Sequence, residues 1–168
     1  KSDIRLPDNW VQLFYKISSL TGNKAPQHAD FISTRKKSFF QGISSWIRGN
    51  FFIPDARIFW VKPSVEYLND FIRRNKIERI VTTGPPHSIH LIGLRLKKLN
   101  PALQWIADFR DPWSEWDLLD TLSLTSLARL RHVTLERKVL TTASRVITIA
   151  PYHVARLEAL SGRKVDLI

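Results

Sequence analysis

Apolar residues in the second half of the chain fall into short continuous runs and into longer stretches in which they recur at helical spacing. The short runs predict strands and the longer stretches predict helices. We expect strands over 77–83, 104–108, 145–149 and 164–168, with helices over 63–76, 87–99, 123–142 and 151–160. Because helices and strands alternate, the pattern indicates a parallel sheet with right-handed crossovers. The predicted fold class is α/β, a Rossmann-like parallel sheet flanked by helices.

Several of the predicted helices have recognisable ends and faces. Pro63 suits a first turn, where a missing N–H costs nothing, and Ser161 with Gly162 ends the last helix. Gly93 is expected to let its helix approach the sheet closely. The predicted buried stripes comprise Val65, Leu68, Phe71 and Ile72 in the first of these helices and Ile89, Ile92, Gly93, Leu96 and Leu99 in the second.

The first 62 residues have a different pattern, although we expect 1–168 to form a single domain with 63–168 as its helix–strand core. A helix within 1–20 is expected to present Trp10 and Phe14 on one face, followed by a loop over 21–30. From 31 to 62, basic and aromatic residues alternate: Arg35, Lys36, Lys37, Arg48, Arg57 and Lys62 with Phe39, Phe40, Trp46, Phe51, Phe52, Phe59 and Trp60. This mixture suits an anionic membrane surface or single-stranded nucleic acid. The alternative is that the aromatics fill the core and the basic side chains are solvated.

Composition narrows the function classes. The chain has 168 residues, 43% of them apolar, a net charge of +11 and no cysteine. The length and apolar content are enough for the core of one domain. The absence of cysteine excludes a disulfide framework, a thiolate nucleophile and a cysteine metal site. The charge favours anionic partners. No apolar run is long enough to span a bilayer, and we expect a cytoplasmic protein, peripheral at the inner face of the plasma membrane.

Polar residues follow three of the predicted strands, where open α/β sheets bind ligands. After the first strand, Gly84, Pro85 and Pro86 form a sharp turn into a helix that starts near His87 and Ser88. The free N–H groups of such a helix start suit a phosphate or a sugar hydroxyl. His87 is a candidate donor or base there, and the alternative is that it only caps the helix.

The second strand ends in Asp108-Phe109-Arg110-Asp111-Pro112-Trp113. A carboxylate beside an arginine stays ionised, so Asp108 and Asp111 suit a base or a hydroxyl acceptor better than a general acid. The alternative is that both cap backbone N–H groups of the loop. Trp113 and Trp116 offer flat faces of the kind that stack on sugar rings.

Other signatures are missing from the sequence. There is no Gly-x-Gly-x-x-Gly fingerprint, P-loop or Gly-x-Ser-x-Gly elbow. His87 and His90 are too few for a metal site, and we expect no metal.

Three segments, 83–92, 106–113 and 145–148, together resemble the N-terminal domain of bacterial family-4 (group 1) retaining glycosyltransferases of the GT-B fold. A further segment, 51–57, resembles one that precedes these motifs in a bacterial subset. The resemblance covers roughly 43–168.

In that family, the N-terminal domain binds the acceptor and a C-terminal domain binds the nucleotide-sugar donor, a co-substrate, with no other cofactor. The resemblance implies that Asp111 or His87 orients the acceptor hydroxyl, while the donor phosphate takes its proton. Arg110 would hold an anionic group. The remaining substrate-binding residues implied are Gly84, Pro85, Pro86, Ser88, Asp108 and Trp113.

The sequence departs from the family pattern in ways that affect activity. It lacks the usual first strand with its glycine-rich loop and the donor-binding domain with its paired glutamates, and Ala150 stands where serine is common. We therefore expect part of an acceptor domain that is inactive by itself. A basic nucleic-acid-binding module and a fragment of another Rossmann protein, such as a nucleotide-sugar epimerase, stay open as alternatives.

Overall fold

A computed structural model describes residues 39–115 and 117–168, which fall within one compact unit. The helix and loop predicted over 1–30, and Trp116, lie outside the described residues, so the single domain over 1–168 stays a prediction. Helices span α1 (Phe39–Phe51), α2 (Val61–Asn75), α3 (Ser88–Leu99), α4 (Asp117–Asp120), α5 (Ser126–Thr142) and α6 (Pro151–Ser161), and a 3-10 turn spans Ile58–Trp60. The strands are β1 (Arg79–Gly84), β2 (Gln104–Phe109), β3 (Arg145–Thr148) and β4 (Asp166–Leu167).

The four strands form one parallel sheet in the order β1-β2-β3-β4. This confirms the predicted α/β fold class. Most element ends lie within three residues of the prediction. Helix α2 begins two residues before Pro63, which still falls in the first turn. Thr125 caps α5 by accepting the Ala128 N–H at 3.2 Å. The short helix α4 was not predicted.

Within the described residues, the hydrophobic core lies on one face of the sheet. Trp105, Ala107, Phe109 and Val146 point into this core, whereas Val81 on the opposite face is 60% exposed. The strand order gives the physical reason, because right-handed crossovers that always advance in the same direction place every connecting helix on the same face. The central strand β2 is therefore not buried on both faces, and Ile106 is only half-buried.

The predicted buried stripes need correction. Helix α3 contacts β1, β2, α2 and α5, so its buried arc is wider than one stripe and includes His90, Leu91 and Leu94. Leu99 lies outside that arc and is exposed. Phe71 on α2 is also exposed, and its ring stacks on Tyr67 with centroids 6.2 Å apart.

The predicted close approach at Gly93 is confirmed. A Cβ atom at this position would overlap the indole ring of Trp105, which is completely buried. The Trp105 indole N–H donates to Thr82 Oγ1 at 2.9 Å, and Thr82 Oγ1 shares a 2.8 Å hydrogen bond with His90 Nδ1. Helix α3 is thereby joined to both β1 and β2.

We expect Gly93→Ala to lower the free energy of unfolding by about 1–3 kcal/mol, because the added methyl group overpacks the helix–sheet contact. Gly42→Ala in α1 is the matched control, since a Cβ there meets no atom within 4 Å. Alanine also favours a helix over glycine by about 1 kcal/mol, so the control should be neutral or stabilising. Urea denaturation measures both, and equal behaviour of the two variants would contradict the tight contact.

Candidate functional site

The carboxyl ends of β1, β2 and β3 meet at one edge of the sheet, called here the carboxyl edge. Gly84 lies opposite Phe109, and Phe109 lies opposite Thr148. Thr148 donates its hydroxyl to the Phe109 carbonyl at 2.8 Å, which fixes the ends of two strands together. The ends of the three strands therefore lie side by side, as expected for a parallel sheet.

His87 stands at the N-cap position of α3 but makes no side-chain capping bond, so the capping alternative is wrong. Its ring is instead buried against Trp113, with centroids 5.1 Å apart and planes within 6°. Because only 3% of His87 is exposed, it lies behind the surface of the carboxyl edge.

Trp113 does not offer a face to a sugar ring. It is 1% exposed, one face of its ring is occupied by His87, and its indole N–H donates to His132 Nδ1 at 3.1 Å. The prediction that it binds substrate by stacking is corrected, because this loop tryptophan belongs to the packed interior.

The start of α3 is already occupied by a carboxylate. Asp55 Oδ2 accepts the backbone N–H of Ser88 at 2.7 Å, and the next two N–H groups bond to the carbonyls of Pro86 and His87. The N–H groups that the sequence offered to a phosphate are therefore satisfied, and a negative charge is in place beside them. That part of the prediction is wrong.

Sequence reasoning missed Asp55. The one local signal is the turn after Pro54, where Asp55 Oδ1 accepts the Arg57 backbone N–H at 2.9 Å. The contact with Ser88 joins positions 33 residues apart, and no sequence pattern reports it.

Asp108, Arg110 and Asp111 differ in their access to solvent. Asp108 is 5% exposed, and its Oδ2 accepts the Arg110 Nε–H at 3.3 Å, while its buried Oδ1 has no partner among the described residues. Asp111 and the side chain of Arg110 are exposed. Of the acidic and basic side chains predicted here, those two are the ones a ligand can reach.

The loop after Asp111 is clamped by two residues that the sequence analysis did not single out. The Ser114 N–H donates to Glu136 Oε2 at 3.2 Å, and Arg156 donates to Ser114 Oγ at 2.7 Å. Arg156 also forms ion pairs with Glu115 and with the fully buried Glu136. These contacts hold the loop that follows β2 against Glu136 of α5 and Arg156 of α6.

Burial keeps the histidines of this region neutral. It lowers the pKa of His87 to about 4, an effect that Asp55 and Asp111 partly oppose. Burial also lowers the pKa of His90 to about 3, that of His132 to about 4, and that of His153. His132 must be neutral for its Nδ1 to accept the Trp113 N–H.

Other kinds of site are less well supported by the described residues. Among them, no group of three or more His, Cys, Asp or Glu side chains is arranged to hold a metal ion. A cavity of about 220 Å³ lies at the opposite edge of the sheet, where Glu78 and Leu103 precede β1 and β2. At the carboxyl edge, the exposed Asp111 carboxylate can accept hydrogen bonds from a ligand, and the exposed Arg110 guanidinium can donate them.

The chain matches no family model, no curated protein and no solved structure.

We expect Asp55→Ala to lower the free energy of unfolding by about 1–3 kcal/mol, because the buried Ser88 N–H loses its acceptor. Asp70→Ala is the matched control: Asp70 is exposed and pairs with Arg74 across 3.7 Å, which is worth about 0.5 kcal/mol or less. Urea denaturation compares the two. An equal loss in both variants would show that the Asp55 cap contributes nothing beyond its charge.

The protein should lose stability as the pH falls from about 6.5 to about 4. Histidines bind protons near pH 6.5 when unfolded, whereas the pKa values of His87 and His132 are about 4 in the fold. In this pH window the unfolded state therefore binds more protons than the folded state. The free energy of unfolding is highest above the window and falls as the pH is lowered through it. His132→Gln should flatten the decline in melting temperature with pH; an unchanged slope would mean that His132 does not contribute.

Proposed function

We propose that this chain is the acceptor-binding domain of a retaining glycosyltransferase, which transfers a sugar from a nucleotide-sugar to a hydroxyl group of a polysaccharide or lipid-linked acceptor. The observation that carries the proposal is the carboxyl edge, where Asp111 and the Arg110 side chain are exposed while the rings of His87 and Trp113 stack in the interior. Ligands of open α/β sheets bind at this edge. The sequence resemblance supplies the reaction class.

The Asp55 cap supports an acceptor rather than a donor at this edge. A nucleotide-sugar carries phosphates, which favour free N–H groups at a helix start. At α3 those groups are engaged, and a carboxylate lies beside them. An uncharged sugar hydroxyl meets no such repulsion, and the donor is assigned to a separate donor-binding domain.

In this proposal Asp111 accepts a hydrogen bond from the acceptor hydroxyl and aims its oxygen at the donor sugar. Arg110 pairs with an anionic group of the acceptor. The acceptor oxygen forms the new bond to the sugar carbon, the bond from that carbon to the donor phosphate breaks, and the phosphate takes the hydroxyl proton. His87 is a positioning residue, since its ring packs on Trp113 two residues beyond Asp111.

The proposal also places the protein at the inner face of the membrane, where a lipid-linked acceptor is found. The described residues contain no helix long and apolar enough to cross a bilayer.

Asp111→Asn should lower kcat/KM for the acceptor about 10- to 100-fold, because a hydrogen bond to a charged group is lost. The assay uses the whole protein, with both domains, a panel of nucleotide-sugars and initial rates at varied acceptor concentration. Asp70→Asn, an exposed carboxylate on α2, is the matched control and should leave the rate unchanged.

The KM for the donor should stay the same in Asp111→Asn. A normal acceptor rate in this variant would remove Asp111 from the site. A raised donor KM with a normal acceptor KM would place the donor at this edge instead.

A further inference from the structure

Within the described residues, α1 and the turn that follows it expose large apolar side chains. Ile43, Trp46 and Ile47 lie on one face of α1 at helical spacing, and all three are exposed. Phe51 at the end of the helix is 70% exposed, and Phe59 is 56% exposed. We call the set Ile43, Trp46, Ile47, Phe51, Phe59 and Trp60 the apolar surface of α1. Phe52 contacts Phe59 edge to face and so links the end of α1 to the 3-10 turn, and exposed large apolar side chains grouped in this way are a candidate interaction site.

The exposed charged side chains of α1 and of the segment that follows it, up to residue 62, are positive. Arg48, Arg57 and Lys62 are exposed. The one acidic residue between 39 and 62 is Asp55, and its carboxylate accepts the N–H groups of Ser88 and Arg57. The partner that complements this surface is therefore anionic and apolar together.

The aromatic rings are not arranged as a platform for nucleic-acid bases. Trp46 and Phe51 meet edge to face, with centroids 5.8 Å apart, as do Phe52 and Phe59 at 5.6 Å. The guanidinium of Arg57 lies over the ring of Trp60, 5.7 Å from its centroid. Single-stranded nucleic acids need open ring faces for stacking. The exposed isoleucines of the apolar surface favour insertion among acyl chains instead.

Helix α1 is held against the rest of the described domain. Asn50 Oδ1 accepts the backbone N–H and the hydroxyl of Thr125 at 2.8 and 2.7 Å. A Cβ at Gly49 would lie 2.6 Å from Leu124 Cδ2, so the helix packs closely there. Because α1 is fixed to the start of α5, a partner bound to it would have a defined orientation relative to the sheet.

We propose that the apolar surface of α1 docks on an anionic lipid bilayer, with Phe51 and Phe59 inserted at the headgroup level and Arg48, Arg57 and Lys62 facing acidic headgroups. The inference deepens the proposed function, on which it rests for the lipid-linked acceptor. Its test does not depend on activity.

The test measures binding of the full chain to sedimented vesicles of phosphatidylcholine with and without phosphatidylglycerol. Binding is expected with the anionic vesicles and should weaken as salt is added. Arg48→Gln and Arg57→Gln should each reduce partitioning about fivefold, in line with the contribution of one basic residue near an anionic surface. Phe51→Ser and Phe59→Ser should each reduce it further.

Two variants away from this surface are the controls. Leu99→Ser removes an exposed apolar side chain at the end of α3, and Arg95→Gln removes an exposed base from the same helix. Both should bind vesicles like the unaltered chain. A similar loss in these controls would overturn the assignment to α1.

Three further outcomes would also overturn it: no vesicle binding, equal binding to pure phosphatidylcholine, or a Phe51→Ser variant that changes only the oligomeric state in sedimentation. Binding of polyuridylate that is lost in the same variants would assign the surface to nucleic acid. Vesicle binding without any transferase activity would support the docking surface and count against the proposed function alone.

Discussion

The structure depends on a short chain of buried hydrogen bonds that joins Trp105, Thr82 and His90. These three residues belong to β2, β1 and α3, so the chain sets the distance between the sheet and its most buried helix. A buried donor without a partner costs about 1–3 kcal/mol, and none of the three can move independently. The contact also requires two glycines: a Cβ at Gly93 would overlap the Trp105 ring, and one at Gly84 would lie 2.5 Å from His90 Nε2.

The geometry of the carboxyl edge depends on these hydrogen bonds between the sheet and α3. His90 holds the first turn of α3 on the sheet, and His87 is thereby placed against Trp113. Because Trp113 and Asp111 belong to the same loop, this contact also positions Asp111. His90 also lies over Phe109, the last residue of β2, with ring centroids 4.5 Å apart. Neutral aromatic packing therefore supports the strand ends of the site, while the ion pair of Arg156 with Glu136 holds the loop beyond Asp111. Protonation of these histidines opposes the packing, because burial disfavours the charged ring and lowers the pKa of both His87 and His90.

The sequence predicted best the features that depend on local chemistry. The order of helices and strands follows from hydrophobic periodicity, and Gly162 ends α6 in a left-handed conformation with φ of 68°. The meeting of three strand ends follows from parallel topology. Periodicity does not show how many neighbours a helix has. It therefore did not predict that α3 buries His90 and Leu91, which lie outside the expected stripe.

The parts of the site that sequence reasoning missed are long-range contacts of polar side chains. Asp55 caps a helix 33 residues away, and Arg156 reaches Ser114 across 42 residues. Trp113 and Asp111 stand two positions apart in one loop, yet one is buried and the other exposed. The distinction arises from His132 on α5, which supplies an acceptor for the Trp113 indole N–H. A loop sequence contains no record of such a partner.

The net charge of +11 does not describe the candidate site. Three carboxylates, Asp55, Asp108 and Asp111, lie at or near the carboxyl edge beside Arg110, whereas α1 and its turn expose Arg48, Arg57 and Lys62. Asp55 lies between these two regions, since its Oδ1 accepts the Arg57 N–H and its Oδ2 accepts the Ser88 N–H. If a lipid bilayer occupies the basic surface, a lipid-linked acceptor reaches the carboxylates without competing for the same charges. The two proposals are compatible because they use different side chains: the acceptor hydroxyl meets Asp111, whereas acidic headgroups meet Arg48, Arg57 and Lys62.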